Sequence, residues 1–233
     1  MKVAMVSGAG RGIGAAIADR LLADGWALSL GLRDPSRAGR FLHVPAGRLL
    51  VCPFDATLPE TAAPWVAATV ARFGHLDALI NNAGILWVVD FEKGTEDELD
   101  EMWMVNVKAP FRLIRAALPH LRQTGQGRVV NIASTDAKRY RAGVSIGYTM
   151  TKHALHAMTA AVRFAAWDDG VRATAICPGA TDTDLIAHVP GATPKADRLT
   201  PETVASMVAF VLSLPNQASV PEFIANTRLE STL

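Results

Sequence analysis

The sequence predicts an α/β fold of one domain, a doubly wound parallel sheet of about seven strands with helices on both faces. Three observations predict it. Short apolar runs alternate with longer helical patterns from end to end, as repeated βαβ units require. The strand runs are continuously apolar rather than alternating, as strands covered on both faces should be. The first run passes through a cluster of glycines directly into an amphipathic helix, "VAMVSGAGRGIGAAIADRLLADG".

Composition supports a single globular body. The 233 residues are 50% hydrophobic and 19% charged, enough for a full core. No internal repeat, low-complexity tract or linker divides the chain, so one domain over residues 1–233 is expected. The formal net charge is +1, and the basic residues are spread out without interleaved aromatics, which disfavours nucleic acid and membrane as partners. Cys52 and Cys177 lie far apart in apolar runs and form no C-x-x-C, so buried reduced thiols are expected and no metal site. The opening "MKVAMVSGAG" reaches its glycines too soon for a signal peptide, and "VASMVAFVLSL" is too short to span a bilayer. A soluble cytoplasmic protein is expected.

Taken in order, the first strand is 2–7 and the first helix 12–23, joined by Gly8, Gly10, Gly12 and Gly14. Such glycines let backbone N–H groups approach an anion and let the helix pack closely on the strand. The helix N-terminus adds about half a positive charge toward a pyrophosphate. A P-loop would end in Gly-Lys-Ser/Thr, which is absent, so triphosphate chemistry is disfavoured and dinucleotide binding favoured. The second strand, 27–32, ends at Leu32, where an acidic residue would bind both hydroxyls of an adenosine ribose. Arg33 follows instead, and Arg33 with Arg11 could bond a 2′-phosphate. Asp34 would offer a carboxylate there if the loop shifted. Two solvated arginines and an Asp34-Pro35 turn explain the same residues without a ligand.

The third strand, 49–54, leads through "CPFDAT" to a helix at 59–73, which Asp55 could cap. The fourth, 78–81, runs into "NNAG", and a long helix at 96–121 carries Asn106 in "VNVKAP". The fifth, 128–133, ends in "RVVNIAS" at Ser134. A helix at 146–167 begins with "GYTMTK", which sets Tyr148 and Lys152 four apart on one face. The sixth strand, 172–176, precedes "ICPGATDTDL". Residues 181–200, rich in Pro and mixed charge, form the loosest segment and suit either a lid over a site or a passive surface loop. A helix at 201–214 and a last strand near 223–225 complete the chain.

These elements together resemble the short-chain dehydrogenases/reductases over nearly the whole chain. The resemblance rests on Ser7 before Gly8-x-x-x-Gly12-x-Gly14, on Asn81–Gly84, Asn106, Ser134, Tyr148-x-x-x-Lys152, and Pro178-Gly179. It implies a Rossmann fold and an NADP(H)-dependent oxidoreductase that interconverts an alcohol and a ketone or aldehyde. The implied cofactor contacts are Ser7, Gly8, Arg11, Gly12, Ile13 and Gly14 in the turn, then Arg33, Asp55 and Ala56. Beyond these come Asn82, Ala83 and Gly84, then Tyr148 and Lys152, then Pro178, Gly179, Thr181 and Thr183. Arg11 and Arg33 favour NADP over NAD. The loop from 33 to 48 is short for this family, so a reduced third helix is expected.

By the same resemblance Tyr148 is the general acid/base, Lys152 tunes it and binds the nicotinamide ribose, Ser134 bonds the substrate oxygen, and Asn106 holds a water that links Lys152 to solvent. Ser134 stands 14 positions before Tyr148 where 13 is commoner, a count Thr135 would meet; Ser134 is preferred because it stands three after Asn131 at the strand end. A tyrosine needs its pKa lowered by about 2–3 units to act as a base at pH 7. One ammonium about 4 Å away supplies roughly 4 kcal/mol at an effective dielectric near 20, so Lys152 is expected to supply the shift, helped by oxidised nicotinamide.

The substrate is less defined. Lys138, Arg139, Arg141, His188, Lys195 and Arg198 could attract a carboxylate-bearing substrate, and a solvated surface explains them as well. Trp87 is either a pocket wall or a core contact. The C-terminal stretch lacks a glycine-rich "DGG" and looks more like the NADP-dependent 3-hydroxy acid and serine dehydrogenase branch. The resemblance also implies a homo-oligomer, dimer or tetramer, built on the two long helices. A nucleotide-holding sensor without turnover is the alternative function on the same fold; its usual mark is loss of Tyr148, Lys152 or Ser134, and all are present.

Overall fold

The continuously apolar runs become strands whose side chains are covered on both faces. In the computed structural model, which describes residues 1–141, 143–187, 189 and 191–229, the strands are β1 (Val3–Ser7), β2 (Ala27–Leu32), β3 (Leu49–Pro53), β4 (Ala78–Asn81), β5 (Arg128–Ile132), β6 (Arg172–Pro178) and β7 (Glu222–Ala225). They form one sheet in the order β3-β2-β1-β4-β5-β6-β7, and every neighbouring pair is parallel. The order reverses between β1 and β4, which opens a crevice at the carboxyl ends of the strands.

Helices α1 (Gly12–Ala23) and α6 (Pro201–Ser213) cover one face, with Ile17, Leu21, Val208 and Leu212 packed on Leu28 and Leu30. Helices α2 (Ala62–Phe73), α4 (Ala109–Gln123) and α5 (Ile146–Ala166) cover the other, around Trp65, Leu79, Leu113, Leu121 and Val162. Gly31 in β2 is dictated by this packing, because a Cβ there would come within 2.5 Å of the Trp65 ring. Trp65 is fixed in turn by its indole N–H, which donates to Ser29 Oγ at 2.9 Å.

The expected helix at 96–121 is instead three pieces: α3 (Glu96–Trp103), a π-turn at Met104–Lys108, and α4. The Ala109 N–H reaches back five residues to the Met104 carbonyl. This wider turn accommodates an extra residue, and it carries Asn106 buried toward the crevice, a placement typical of functional sites. The expected helix at 59–73 begins as a 3-10 turn, Pro59–Thr61, before α2. Between β2 and β3 only 3-10 turns form, at Pro35–Phe41 and Ala46–Arg48, in keeping with the short loop. β6 runs on to Pro178 because its last residues pair with Ile224 and Ala225 of β7.

At the amino ends of the strands, two cross-strand neighbours, Arg128 and Arg172, lie side by side. The Arg128 guanidinium, 8% exposed, donates to the carbonyls of Gln126, Gly127 and Leu214 and to Asn216 Oδ1. Arg172 donates to the carbonyls of Trp167, Val171 and Asn216 and stacks 3.7 Å from the Trp167 ring centre. These carbonyls lie at or just past the ends of α4, α5 and α6, where helix dipoles leave partial negative charge. Burial and the neighbouring Arg172 charge both push the Arg128 pKa down, so the cluster is held together by the carbonyls it satisfies. Arg128→Met strips four acceptors of their donor, and urea denaturation is expected to read a loss of about 3 kcal/mol.

Candidate active site

A cavity of 1010 Å³ fills the crevice at the carboxyl ends of the strands. Its floor is the glycine turn, shaped by what surrounds it. Gly8 and Gly12 hold φ of 70° and 54°, a region that strains any side chain. Gly14 has no room for a Cβ, which would sit 2.4 Å from the Gly8 carbonyl oxygen and from Asn82 Nδ2. Ser7 Oγ accepts the N–H groups of Asn82 and Ala83, each at 3.0 Å, and the Asn82 amide donates to the carbonyls of Ser7 and Gly8. The turn after β1 is thereby tied to the turn after β4. Ile13 and the first amides of α1, whose N-cap Arg11 makes no side-chain cap bond, complete an anion-accepting cradle.

One end of the cavity is lined by Leu32, Arg33, Asp34, Arg37 and Arg40, with Asp55, Ala56 and Thr57 alongside. The Asp34 carboxylate is turned onto its own loop, accepting from the Ser36 N–H at 3.0 Å and hydroxyl at 2.7 Å, bonds that also hold its pKa down. Asp55 does not cap the helix that follows, since the N-caps there are Leu58 and Thr61. Its carboxylate instead accepts from the Thr57 N–H and hydroxyl two residues on, closing a turn at the cavity wall. Arg11 does not point at Arg33: it pairs with Asp184 at 2.6 Å.

The other end holds Ser134, Tyr148 and Lys152, the residues expected to react. Ser145 caps α5 by accepting the Tyr148 N–H at 3.1 Å, which fixes Tyr148 in the first turn and Lys152 one turn on. Both are buried, at 6% and 4% exposure. Lys152 Nζ donates to the Ile132 carbonyl at 2.8 Å and lies 5.4 Å from the Tyr148 ring centre. Ser134, at the end of β5, accepts the Asp136 N–H at 3.0 Å and lies close enough to Tyr148 to pull its pKa down. Thr135, the alternative hydroxyl, is engaged by Arg139, whose Nη2 donates to it at 3.2 Å. Thr135 is thus occupied by the chain itself, and of the two hydroxyls it is Ser134, on the cavity lining, that acts on the phenol.

Ser7, expected among the cofactor contacts, and Asn106, expected to hold a water linking Lys152 to solvent, both stand behind the cavity lining. Asn106 works one layer behind: its Oδ1 accepts the Ile85 N–H, and its Nδ2 donates to the Ile85 carbonyl and to Thr151 Oγ1. A Cβ at Gly84 would lie 3.3 Å from Asn106 Oδ1 and 3.6 Å from Lys152 Nζ, so a bare backbone separates the two groups. Gly8, Gly12, Asn82, Ala83, Gly84, Pro178, Gly179, Thr181 and Thr183 do line the cavity.

The expected lowering of the Tyr148 pKa by Lys152 is not what this site does. Burial pushes the phenol up, the Asp136 charge pushes it further, and only the Ser134 hydrogen bond pulls it down. Burial meanwhile brings Lys152 down to about 8, opposed by Cys177 and Asp136. The physical reason is that burial disfavours the charged form of both groups at once. A protonated phenol beside a serine hydroxyl can receive a carbonyl oxygen and donate a proton to it.

Asp136 was missed in the sequence. It follows Ser134 by two, pairs with the buried Arg139 and lies 3.9 Å from Arg141, which lines the cavity. Nothing in its local pattern separates it from a helix-capping aspartate. Apolar Val144, Leu185, Ile186 and Val189 also line this end and had no motif to mark them. Of the expected surface charges, Lys138 pairs with Glu222, and Lys195 and Arg198 with Asp182, while His188 lies outside the described residues. Trp87 is half-exposed, its indole donating to Glu101. Cys52 and Cys177 are buried free thiols, and burial first, then Glu222, pushes Cys177 up to about 11. Among the described residues no cluster of His, Cys, Asp and Glu could hold a metal, and no helix is long and apolar enough to cross a membrane.

A family profile described as short chain dehydrogenase matches residues 2–192. An agropine synthesis reductase of Rhizobium rhizogenes is 40% identical over 220 residues, 94% of this chain and 51% of its own length. The chain therefore spans about half the length of that relative. An uncharacterized oxidoreductase of Staphylococcus aureus is 32% identical over 95% of both chains. The solved alcohol dehydrogenase of Thermococcus sibiricus, complexed with 5-hydroxy-NADP, superposes with a TM-score of 0.88 at 33% identity, over 97% of this chain and 96% of its own.

The buried ammonium makes a stability prediction. Lys152 has its folded pKa near 8 against 10.5 in the open chain, so below about 8 the folded state carries the cost of a desolvated charge. Between 8 and 10.5 the unfolded chain binds more protons, and that cost disappears as pH rises through the window. Lys152→Met should therefore be more stable than the parent at pH 7, by about 1–3 kcal/mol. Urea denaturation at rising pH should see that advantage shrink.

Proposed function

The chain belongs to the short-chain dehydrogenase family, and on that premise we propose that it is an NADP(H)-dependent oxidoreductase interconverting an alcohol and a ketone or aldehyde. The observation that carries the reading is the meeting of Ser134, Tyr148 and Lys152 at one end of a cavity whose other end is a glycine cradle. The cradle fits a dinucleotide because Gly14 and Gly8 leave backbone where any Cβ would collide. A bound nicotinamide supplies the hydride that adds to the carbonyl carbon.

The chain's own residues do the rest. Ser134 orients the substrate oxygen by hydrogen bonding, and Tyr148 delivers its phenolic proton to that oxygen as charge develops there. A pKa held above the ordinary value keeps Tyr148 protonated, which suits it to the reducing direction. Lys152, anchored by the Ile132 carbonyl, offers its remaining donors to the nicotinamide ribose. Asn106 holds the Ile85 backbone and, with Thr151, the first turns of α5, keeping the wall of the site in place. The relative named as a reductase accords with this direction.

NADP is favoured over NAD because Arg33, Arg37 and Arg40 line the adenosine end while the Asp34 carboxylate is occupied by Ser36. The solved relative complexed with 5-hydroxy-NADP supports the same choice. The substrate is proposed to be a small polar carbonyl compound bearing a carboxylate, drawn by Arg141 at the reactive end. The segment after β6, with Leu185, Ile186 and Val189 on the cavity, serves as the lid. A homo-oligomer is proposed through α4 and α5, which leave Phe111, Phe164 and Trp167 exposed, and a cytoplasmic setting suits the two reduced thiols.

A carbonyl panel followed by nicotinamide absorbance tests the reaction. Tyr148→Phe is expected to lower kcat about a thousandfold with NADPH affinity within about twofold of the parent; unchanged turnover would sink the assignment, and binding without turnover on any carbonyl would favour a sensor. Arg33→Ala should weaken NADPH about tenfold by calorimetry and leave NADH nearly unaffected. Equal losses for both cofactors would remove Arg33 from the phosphate site.

A further inference from the structure

Arg11 and Asp184 stand 173 positions apart, yet Arg11 Nη1 meets Asp184 Oδ2 at 2.6 Å. Arg11 is the N-cap of α1 at the glycine turn, and Asp184 opens the 3-10 turn Asp184–Ile186 beyond β6. The neighbouring contact is close too, since a Cβ at Gly12 would lie 3.2 Å from Thr183 Cγ2. The base of this segment is closed by its own bonds. Thr181 and Leu199 form a parallel bridge, the Asp182 N–H donates to the Leu199 carbonyl, and the Asp182 carboxylate pairs with Lys195 and Arg198. Immediately beyond that base, Thr183 and Asp184 reach the glycine turn at Gly12 and Arg11.

We propose that Asp184 is a positioning and specificity-determining residue: it latches the segment after β6 to the glycine turn through Arg11, and the 2′-phosphate of NADP competes with it for that guanidinium. The proposal rests on the NADP reading given above. Both side chains are largely exposed, at 67% and 72%, so the pair is weak enough to be exchanged. A phosphate carries more charge than a carboxylate and takes the same planar fork of donors. Arg11 therefore serves two anions in turn. Asp184 also places a negative charge beside the phosphate position, which opposes NADP but not NAD.

Two measurements on the full chain test it. Amide exchange over residues 182–187, without cofactor, should be about threefold faster in Asp184→Asn at low salt, and half-molar salt should erase the difference. The acceleration should vanish in an Arg11→Gln background, as a double-mutant cycle for a direct pair requires. Calorimetry on Asp184→Asn should find NADPH bound about threefold more tightly and NADH unchanged. Unchanged exchange, or the same acceleration without Arg11, overturns the latch. NADPH bound no more tightly, or both cofactors tightened alike, overturns the competition. If the parent protein shows no preference for NADPH, the cofactor reading fails, and the exchange arm still judges the latch.

Discussion

The hydroxyl of Ser7 is the point on which the site depends. It sits at the carboxyl end of β1, at the one place in the sheet where strand order reverses, and accepts two backbone N–H groups from the turn after β4. Those amides would otherwise be buried without a partner in a region that must remain bare backbone. With them held, Asn82 can return its side-chain amide to the Ser7 and Gly8 carbonyls, and Gly84 can pass between Asn106 and Lys152. The chain of bonds goes on from Asn106 to Thr151 Oγ1 and from Thr151 to the Tyr148 carbonyl. The floor of the cavity and the helix bearing the reactive pair are thus parts of one hydrogen-bonded frame. A second tie runs from Asn81 through Asn131 to Thr159 on α5, so β4, β5 and α5 keep their register beneath the site.

Tyr148 and Lys152 are held together at a cost to the fold. Burial makes both the phenol and the amine resist taking up charge, and desolvation is the largest cause for each. Lys152 keeps one bond to a strand carbonyl, and Tyr148 has the Ser134 hydroxyl beside it. Neither is fully satisfied by the protein alone, which is what a site prepared for a ligand's polar groups looks like. Asp136 adds to this. Its charge raises Tyr148 further, while Arg139, itself buried, holds that charge in place on the loop beside Ser134.

Most of the fold was legible because the strands are buried on both faces and so announce themselves as unbroken apolar runs. β2 and β4 fall where the runs begin and end, since glycine and asparagine turns bound them. The glycine turn was legible because only absent side chains permit the approaches at Gly8 and Gly14. What was hidden depends on pairing across the chain. The π-turn that buries Asn106 has no signature in "MVNVK", because an i→i+5 turn differs from an α-turn by one residue of register. The choice between Ser134 and Thr135 could not be made by counting; it is made by Arg139, four residues on, which occupies the threonine. Tyr148's pKa was misjudged because a single favourable charge was weighed without the burial that accompanies it.

The parallel topology also explains why charge collects at both ends of the sheet in opposite ways. Every strand points the same way, so the connecting helices run antiparallel to them and end together at the amino edge of the strands. There the trailing carbonyls of α4, α5 and α6 gather partial negative charge, and Arg128 and Arg172 answer it with two guanidinium groups placed side by side despite their mutual repulsion. At the carboxyl edge the same arrangement turns the amino end of α1 toward the cavity, with partial positive charge and no side chain to cap it. An anionic cofactor is the natural complement of that edge, as arginine is of the other. The two edges differ in one respect that follows from their roles. The amino edge is closed by permanent bonds to its own chain, whereas the carboxyl edge keeps donors in reserve, among them an arginine whose present partner, Asp184, is exposed and exchangeable.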